Sequence, residues 1–316
     1  MEFIPHVLQS SAWGEFRKKW GTEVCHIGKA QFTLHKVPFL PFKIGYMPRV
    51  FPQEIDWQAI AAKAKAERCI FIKVEPNSDT FEWPKEFDVR RGERMFGVAT
   101  YFIDLQKTEQ ELLAAMHSKT RYNIGLARKK GITIKVGHSQ AMFNEYLDLF
   151  HETNQRHHVV IHPDKYYQTF FDTFVKHDML EIVTAYFEGV PLSTLILLFY
   201  EGNLYYPYGA STDRMREKMA SHLAYWETIM LAKQRGCRTF DMWNCLPPEQ
   251  ESPDHPWWGF HRFKKGFGGE FIRFCGAYDW VFSPRLYGLM LFLNKMRWKL
   301  LKARLRLIKV IKPSKV

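Results

Sequence analysis

Between His117 and Gly131 the chain reads HSKTRYNIGLARKKG: Lys119, Arg121, Arg128, Lys129 and Lys130 follow His117, with no acidic residue among them. Basic side chains at this density do one kind of chemistry well. They hold phosphate, arginine through a planar fork and lysine as a point charge. A solvated helix face uses the same residues, and for Arg128, Lys129 and Lys130 both readings stand. Arg156, in ETNQR, offers another fork. In YYPYGAS, Tyr206 and Tyr208 stand two apart, a spacing that puts both on one face of a strand. Tyr122, between the basic residues, reads as core.

Other chemistries lack their residues. The chain has no Walker A loop, no GxGxxG, no GxSxG elbow and no HExxH pair. His157, His158 and His162 crowd together without a cysteine partner, so they read as loop residues and no metal is expected. Coenzyme A acetyltransferases hold a pyrophosphate on the amides of a glycine-rich turn. The equivalent slot here reads REKMAS, with Met219 and Ser221 where close backbone approach wants glycine. No cofactor is therefore expected, and an acyl-coenzyme A donor is the second choice.

The bulk numbers agree with an anionic partner. A formal charge of +12 and a pI near 9.4 suit nucleic acid, a phosphorylated metabolite or an anionic membrane. A non-catalytic basic protein bound to nucleic acid or lipid satisfies the charge equally well. Five scattered cysteines without a CxxC read as reduced thiols of a cytosolic protein. The start, MEFIPHVLQS, does not look like a signal peptide, and no run of 18 apolar residues occurs, so a cytoplasmic location is expected. After Asp279 there are ten lysines and arginines and no acid. There LYGLMLFLNKMRWKLLKARLRLIKVI reads as a basic amphipathic helix with Leu289, Leu293, Met296 and Leu300 on one stripe. Such a stripe packs on the protein body or lies on a membrane surface, and the half from Lys299 onward favours the membrane.

The elements that must position these residues are mixed. Alternating apolar runs and helical segments predict an α+β (mixed α/β) fold. SAWGEFRKKWG predicts a helix with Trp13, Phe16 and Trp20 on one face. Thr108, three residues before Glu111, forms a capping box, and the helix it starts is expected to run through Met116 to Gly131. The strand ITIKV follows. A second helix, SHLAYWETIMLAKQ, stops at Gly236 before the strand TFDMW. Between them LEIVTAYFE, LSTLILLFYE and NLYYPYGAST predict a three-stranded meander. This rhythm suits an acyltransferase rather than a dinucleotide binder.

Three stretches taken in order are more specific: VLQSSAWGEFRKKWG, KTRYNIGLARKKGITI and GFHRFKKGFGGE, with AYFEGVPLS and YPYGAST between the last two. Together they resemble the Fem family (FemABX) of non-ribosomal peptidoglycan-bridge peptidyltransferases over nearly the whole chain. The resemblance implies two GNAT-like acyltransferase domains packed together, residues 1–103 with 270–316 and residues 104–269, without a coiled-coil arm. It implies transfer of an aminoacyl group from aminoacyl-tRNA to the stem-peptide amine of a peptidoglycan precursor, UDP-linked or lipid-linked. The work would be done in the cytoplasm at the inner membrane face, where the basic C-terminal helix, by its own pattern, is expected to make peripheral membrane contact. Phe263 and Lys264 match the family's pair that positions the tRNA acceptor end, Lys264 meeting phosphate or the developing oxyanion. Arg17 and Arg156 match its binders of the muropeptide phosphates, although Val160 stands where the family places an aromatic residue. Tyr206 or Tyr208 corresponds to a substrate-contacting tyrosine. Glu75 corresponds to an acidic residue implicated in catalysis, or is a strand-end charge. On this view Arg121 and Asn123 line the substrate cleft, and Arg128, Lys129, Lys130 and Lys265 meet tRNA phosphates.

Overall fold

The computed structural model describes residues 5–157 and 161–311; the side chains of Glu54, His157, Trp298 and of residues 300–311 lie outside the described set. His158 and Val160 also lie outside it. The fold is α+β, built on two mixed sheets.

The first sheet comprises β1 (Glu23–Ile27), β2 (Ala30–Lys36), β3 (Lys43–Val50), β4 (Cys69–Pro76) and β5 (Val89–Arg91), with β13 (Tyr278–Val281) between β4 and β5. The second has the order β12-β6-β11-β10-β9-β8-β7. Its strands are β6 (Ala99–Asp104), β7 (Thr133–Gly137), β8 (Leu180–Phe187), β9 (Val190–Tyr200), β10 (Asn203–Ser211), β11 (Thr239–Asn244) and β12 (Glu270–Arg273). Because β6 and β12 both hydrogen-bond into the second sheet, strand pairing divides the chain between 91 and 99 and again between 273 and 278. The expected boundaries of 103 and 270 cut through it.

Helices cover both faces of the second sheet. On one face α4 (Ser118–Lys129) and α7 (Ala220–Gln234) enclose a core around Trp226, Leu223, Ile124 and Phe240. On the other, α5 (Gln140–His157) and α6 (Asp164–Lys176) pack with α1 (Ser11–Lys19) around Phe143, Tyr146, Phe170 and Phe174. The N-terminal helix thus serves the second sheet's core. Ser10 caps α1 by accepting from the Trp13 amide, and fully buried Phe16 meets Tyr166 and Phe170 edge-on at 5.0 and 5.4 Å. That burial contributes roughly 2–3 kcal/mol. On the first sheet α2 (Trp57–Ala66), capped by Asp56, lays Ile60 and Ala64 on Met47 and Ile72.

The capping box at Thr108 is present, but the helix it starts, α3 (Glu109–Ala115), ends early. Met116 and His117 are extended, and α4 begins afresh. The His117 amide donates to the Gly266 carbonyl, a partner 149 residues away that no local pattern reveals. After the helices, Gly131 and Gly236 take φ of 79° and 73°, the left-handed stop expected of them. Four cysteines are buried, Cys275 is half-buried, and all five are free. No described helix is long and apolar enough to cross a membrane.

Candidate active site

Strands β10 and β11 are parallel neighbours only as far as Tyr205 opposite Asp241. Beyond that point each carries a bulge, between Tyr205 and Tyr208 in β10 and between Asp241 and Asn244 in β11. A bulge bends its strand and sharpens its twist, so the two strands fork. Pro207, which has no N–H to give the ladder, sits in the first bulge. Trp243, with φ of 64°, sits in the second. The Asp241 carboxylate fixes the second bulge by accepting from the Trp243 amide at 2.7 Å and the Thr100 hydroxyl at 2.5 Å.

Lys264 fills one face of the fork. It lies on α8 (Trp258–Lys265), fully buried, and donates to the carbonyls of Met242 and, at 3.0 Å, Asn244. Those are the carbonyls on either side of bulged Trp243. The Tyr206 and Phe260 rings lie 5.2 and 3.7 Å from its Nζ. Burial pulls its pKa down to about 7, opposed by the negative charge of Asp241. Gly209 is needed here, because a Cβ on it would stand 1.8 Å from the Tyr206 hydroxyl. Phe263 packs its ring against His222, Tyr225 and Phe267 at 5.0, 4.8 and 5.2 Å. The exposed aromatic ring beside Lys264 is instead that of Phe260.

His6 fills the other face. Its ring lies 4.6 Å from Tyr205 and 5.5 Å from Trp243, and its Nε2 is 3.8 Å from the Asp241 carboxylate. Burial lowers its pKa against the pull of Asp241. Behind it Arg49 stacks on Phe274 at 3.4 Å and donates to the Gly97 carbonyl. Glu75 accepts from the Tyr46 hydroxyl at 2.9 Å and from the amides of Met95 and Phe96 at 2.6 and 3.2 Å. It ties β4 to the segment that leads into the second sheet.

The expected pairing of Tyr206 with Tyr208 on one face does not hold, because the bulge between Tyr205 and Tyr208 breaks the twofold period. Tyr206 belongs to the core on the Lys264 side. Tyr208 packs on the opposite side, edge-on to Tyr167 and Phe170 at 5.5 and 5.3 Å. Arg156 is on that same side, donating to the Ser211 carbonyl at 3.1 Å and facing Asp213 at 3.4 Å. Arg17 is there too. It donates to Thr22 at 3.2 Å, and its charge acts on Tyr46, His35 and Tyr208.

The basic stretch divides by use. Arg121 gives its guanidinium to the carbonyls of Leu113, Ala114 and Met116, closing the end of α3. It lines no cleft. Asn123 reaches the site indirectly, its Nδ2 3.2 Å from Nε2 of His222, whose pKa burial lowers to about 4. Arg128 pairs with Glu227 at 2.8 Å, Lys130 holds the Glu217 carbonyl at 2.6 Å, and Lys265 pairs with Glu251 at 2.8 Å. Lys129 is exposed. Tyr122, expected in the core, is 67 % exposed. Met219, at the start of α7, has φ of 58°, so the turn keeps the glycine-like backbone but carries a large side chain. A cavity of about 470 Å³, lined in part by Asp104, Arg238 and Glu270, opens at the other end of β10 and β11, away from Lys264. His6, Arg49, Asp241, His222 and Phe260 complete the site, and of these only Phe260 carried a signal, four residues before Lys264 on one helix.

Two mixed sheets, a forked parallel pair and a buried lysine drawn onto the bulged strand define an α+β protein with one candidate site at the fork. The FemAB family matches residues 98–189 and 181–295. The chain belongs to the FemAB family. Among curated proteins it is 19% identical to a lipid II:glycine glycyltransferase of Staphylococcus haemolyticus, covering 97% of this chain and 94% of that protein. It is 20% identical to one of Staphylococcus aureus (strain USA300) over the same shares. Among solved structures, FemX superposes with a TM-score of 0.78 at 20% identity, over 90% of this chain and 94% of FemX. Membership makes this chain an aminoacyltransferase.

Proposed function

We propose that the protein transfers an aminoacyl group from the ester of an aminoacyl-tRNA to the stem-peptide amine of a peptidoglycan precursor, extending the interpeptide bridge. The observation that carries this reading is Lys264, buried in the fork of β10 and β11 with Tyr206 over it, while Arg17, Arg156 and Tyr208 occupy the opposite face. The phosphates of the acceptor meet Arg17 and Arg156 on one side. The tRNA acceptor end meets the α8 side, where Phe263, His222 and Asn123 set the wall. The reactants join in the fork once the side chains that fill it turn aside.

In the transfer the neutral amine attacks the ester carbonyl, a C–N bond forms and the bond to the ribose oxygen breaks. The ribose hydroxyl leaves with one proton, and the amine loses one. Charge builds on the carbonyl oxygen, and the Lys264 ammonium stabilises it in a dry, preorganised setting. Most of the acceleration comes from holding both reactants. Lipid II, the acceptor in the relatives' names, is the acceptor we favour, with glycine as the first amino acid to test.

The test supplies purified protein with charged tRNAs, one amino acid at a time, and with lipid-linked or UDP-linked precursor, scored by mass spectrometry. The expected product carries one added residue, and RNase treatment of the donor abolishes it. Lys264→Ala lowers the rate by at least about tenfold, as loss of a charge-stabilising group does. Transfer from acyl-coenzyme A but not from charged tRNA overturns the reading. A Lys264→Ala variant at full rate overturns the site.

A further inference from the structure

Helix α9 (Pro284–Ile311) carries a surface that the transfer chemistry does not use. Its first turns are anchored. Tyr287 is buried, donates to Asp279 at 2.9 Å and meets Phe71 edge-on at 5.3 Å. Leu286 and Met290 pack on the same cluster. Another face is bare. Leu289, Phe292, Leu293 and Met296 follow the spacing i, i+3, i+4, i+7 and are 50, 59, 54 and 42 % exposed. Of the two readings the sequence offered, packing on the body or lying on a membrane, the first does not hold for this stretch, which points away from the body. In the sequence Leu300, Ala303, Leu307 and Val310 continue the spacing.

The charges flank this stripe. Lys295 and Lys299 fall to one side of it on a helical projection and Arg297 to the other, and all three are exposed. Lys302, Arg304, Arg306, Lys309, Lys312 and Lys315 follow, and Asp279 is the last acidic residue. We propose that α9 is an interfacial helix that docks the protein on a bilayer rich in anionic lipid. The stripe from Leu289 to Met296 enters the acyl boundary, and the flanking lysines and arginines meet the headgroup phosphates. A second copy is the wrong occupant, because pairing two such helices brings together two sets of eight like charges. RNA is wrong too, since leucine and methionine gain nothing against a ribose-phosphate backbone, whereas acyl chains reward them. The inference stands apart from the transfer reaction and does not depend on its substrates.

The experiment is co-sedimentation of the full chain with vesicles. One set is phosphatidylcholine alone, and in the other about a third of the lipid is phosphatidylglycerol, a mixture chosen so that surface charge decides binding. The protein is expected to bind the anionic vesicles at least roughly tenfold more tightly, the effect of one or two charges near the surface. The double variant Phe292→Glu with Met296→Glu, shown to be folded by circular dichroism, is expected to stay in the supernatant. Should it fail to fold, Lys295→Glu with Lys299→Glu replaces it, with the same loss expected. Failure of the natural chain to sediment, undiminished sedimentation of a folded variant, or retention on RNA but not on vesicles overturns the proposal. So does a dimer that the double variant dissolves.

Discussion

Replacing Lys264 with methionine tests the site through stability rather than rate. Burial lowers the lysine's pKa from 10.5 to about 7, so between those values the unfolded chain carries a proton that the folded chain lacks. Stability then rises with pH across that window, and below pH 7 the cost of the buried charge is present in full. At about 1.4 kcal/mol per unit, that full cost is on the order of 5 kcal/mol, and about half of it is relieved between roughly pH 6 and pH 9. Methionine keeps the length and loses the charge. It also leaves the Met242 and Asn244 carbonyls without this donor, at about 1–3 kcal/mol each, a cost independent of pH. Urea denaturation of both proteins across this range is the assay. Histidines whose pKa is lowered, such as His6 and His222, act at lower pH, and buried cysteines such as Cys69 act at higher pH. Both sets are common to the two proteins and cancel in the difference. The natural protein should gain about 2–3 kcal/mol on the variant from low to high pH. Parallel profiles would refute the reasoning, because they would mean that Lys264 titrates alike in the folded and unfolded chains.

Asp241→Asn removes the negative charge that supports both His6 and Lys264 and should cost about 3 kcal/mol. It should also push the Lys264 pKa lower and start the stability rise at lower pH in the same titration. Thr108→Ala breaks the capping box and should cost about 1 kcal/mol in thermal unfolding with no loss of transfer. Gly209→Ala places a methyl group against the Tyr206 hydroxyl and should cost about 1–3 kcal/mol. Its transfer rate should fall as well, because the ring over Lys264 has to move.

Elements whose apolar residues recur at one clean period could be read from the sequence. The α1 face of Trp13, Phe16 and Trp20, the meander of β8, β9 and β10, and the α7–β11 step all formed as expected. Strands β5, β12 and β13 are only three or four residues long, too short to show a period. The break at Met116 was hidden because both flanks are helical and its cause, Gly266, is remote. In the site, residue types were legible and orientation was not. Tyr206 and Tyr208 part because a bulge separates them, and the matching bulge in β11 depends on Asp241 and on a lysine 20 residues away. In α9 the stripe was readable as a stripe, but which side meets the body is decided by Tyr287 reaching Asp279.

Arg49 has a mechanical consequence. Its guanidinium comes from the first sheet, is 3 % exposed, and lies between the Phe274 ring and the Gly97 carbonyl at the start of the second. Hinging the two halves apart would take from that cation both its aromatic face and its carbonyl partner. Arg49 is thus a pin between the first sheet and the start of the second, and it resists a hinge at that seam.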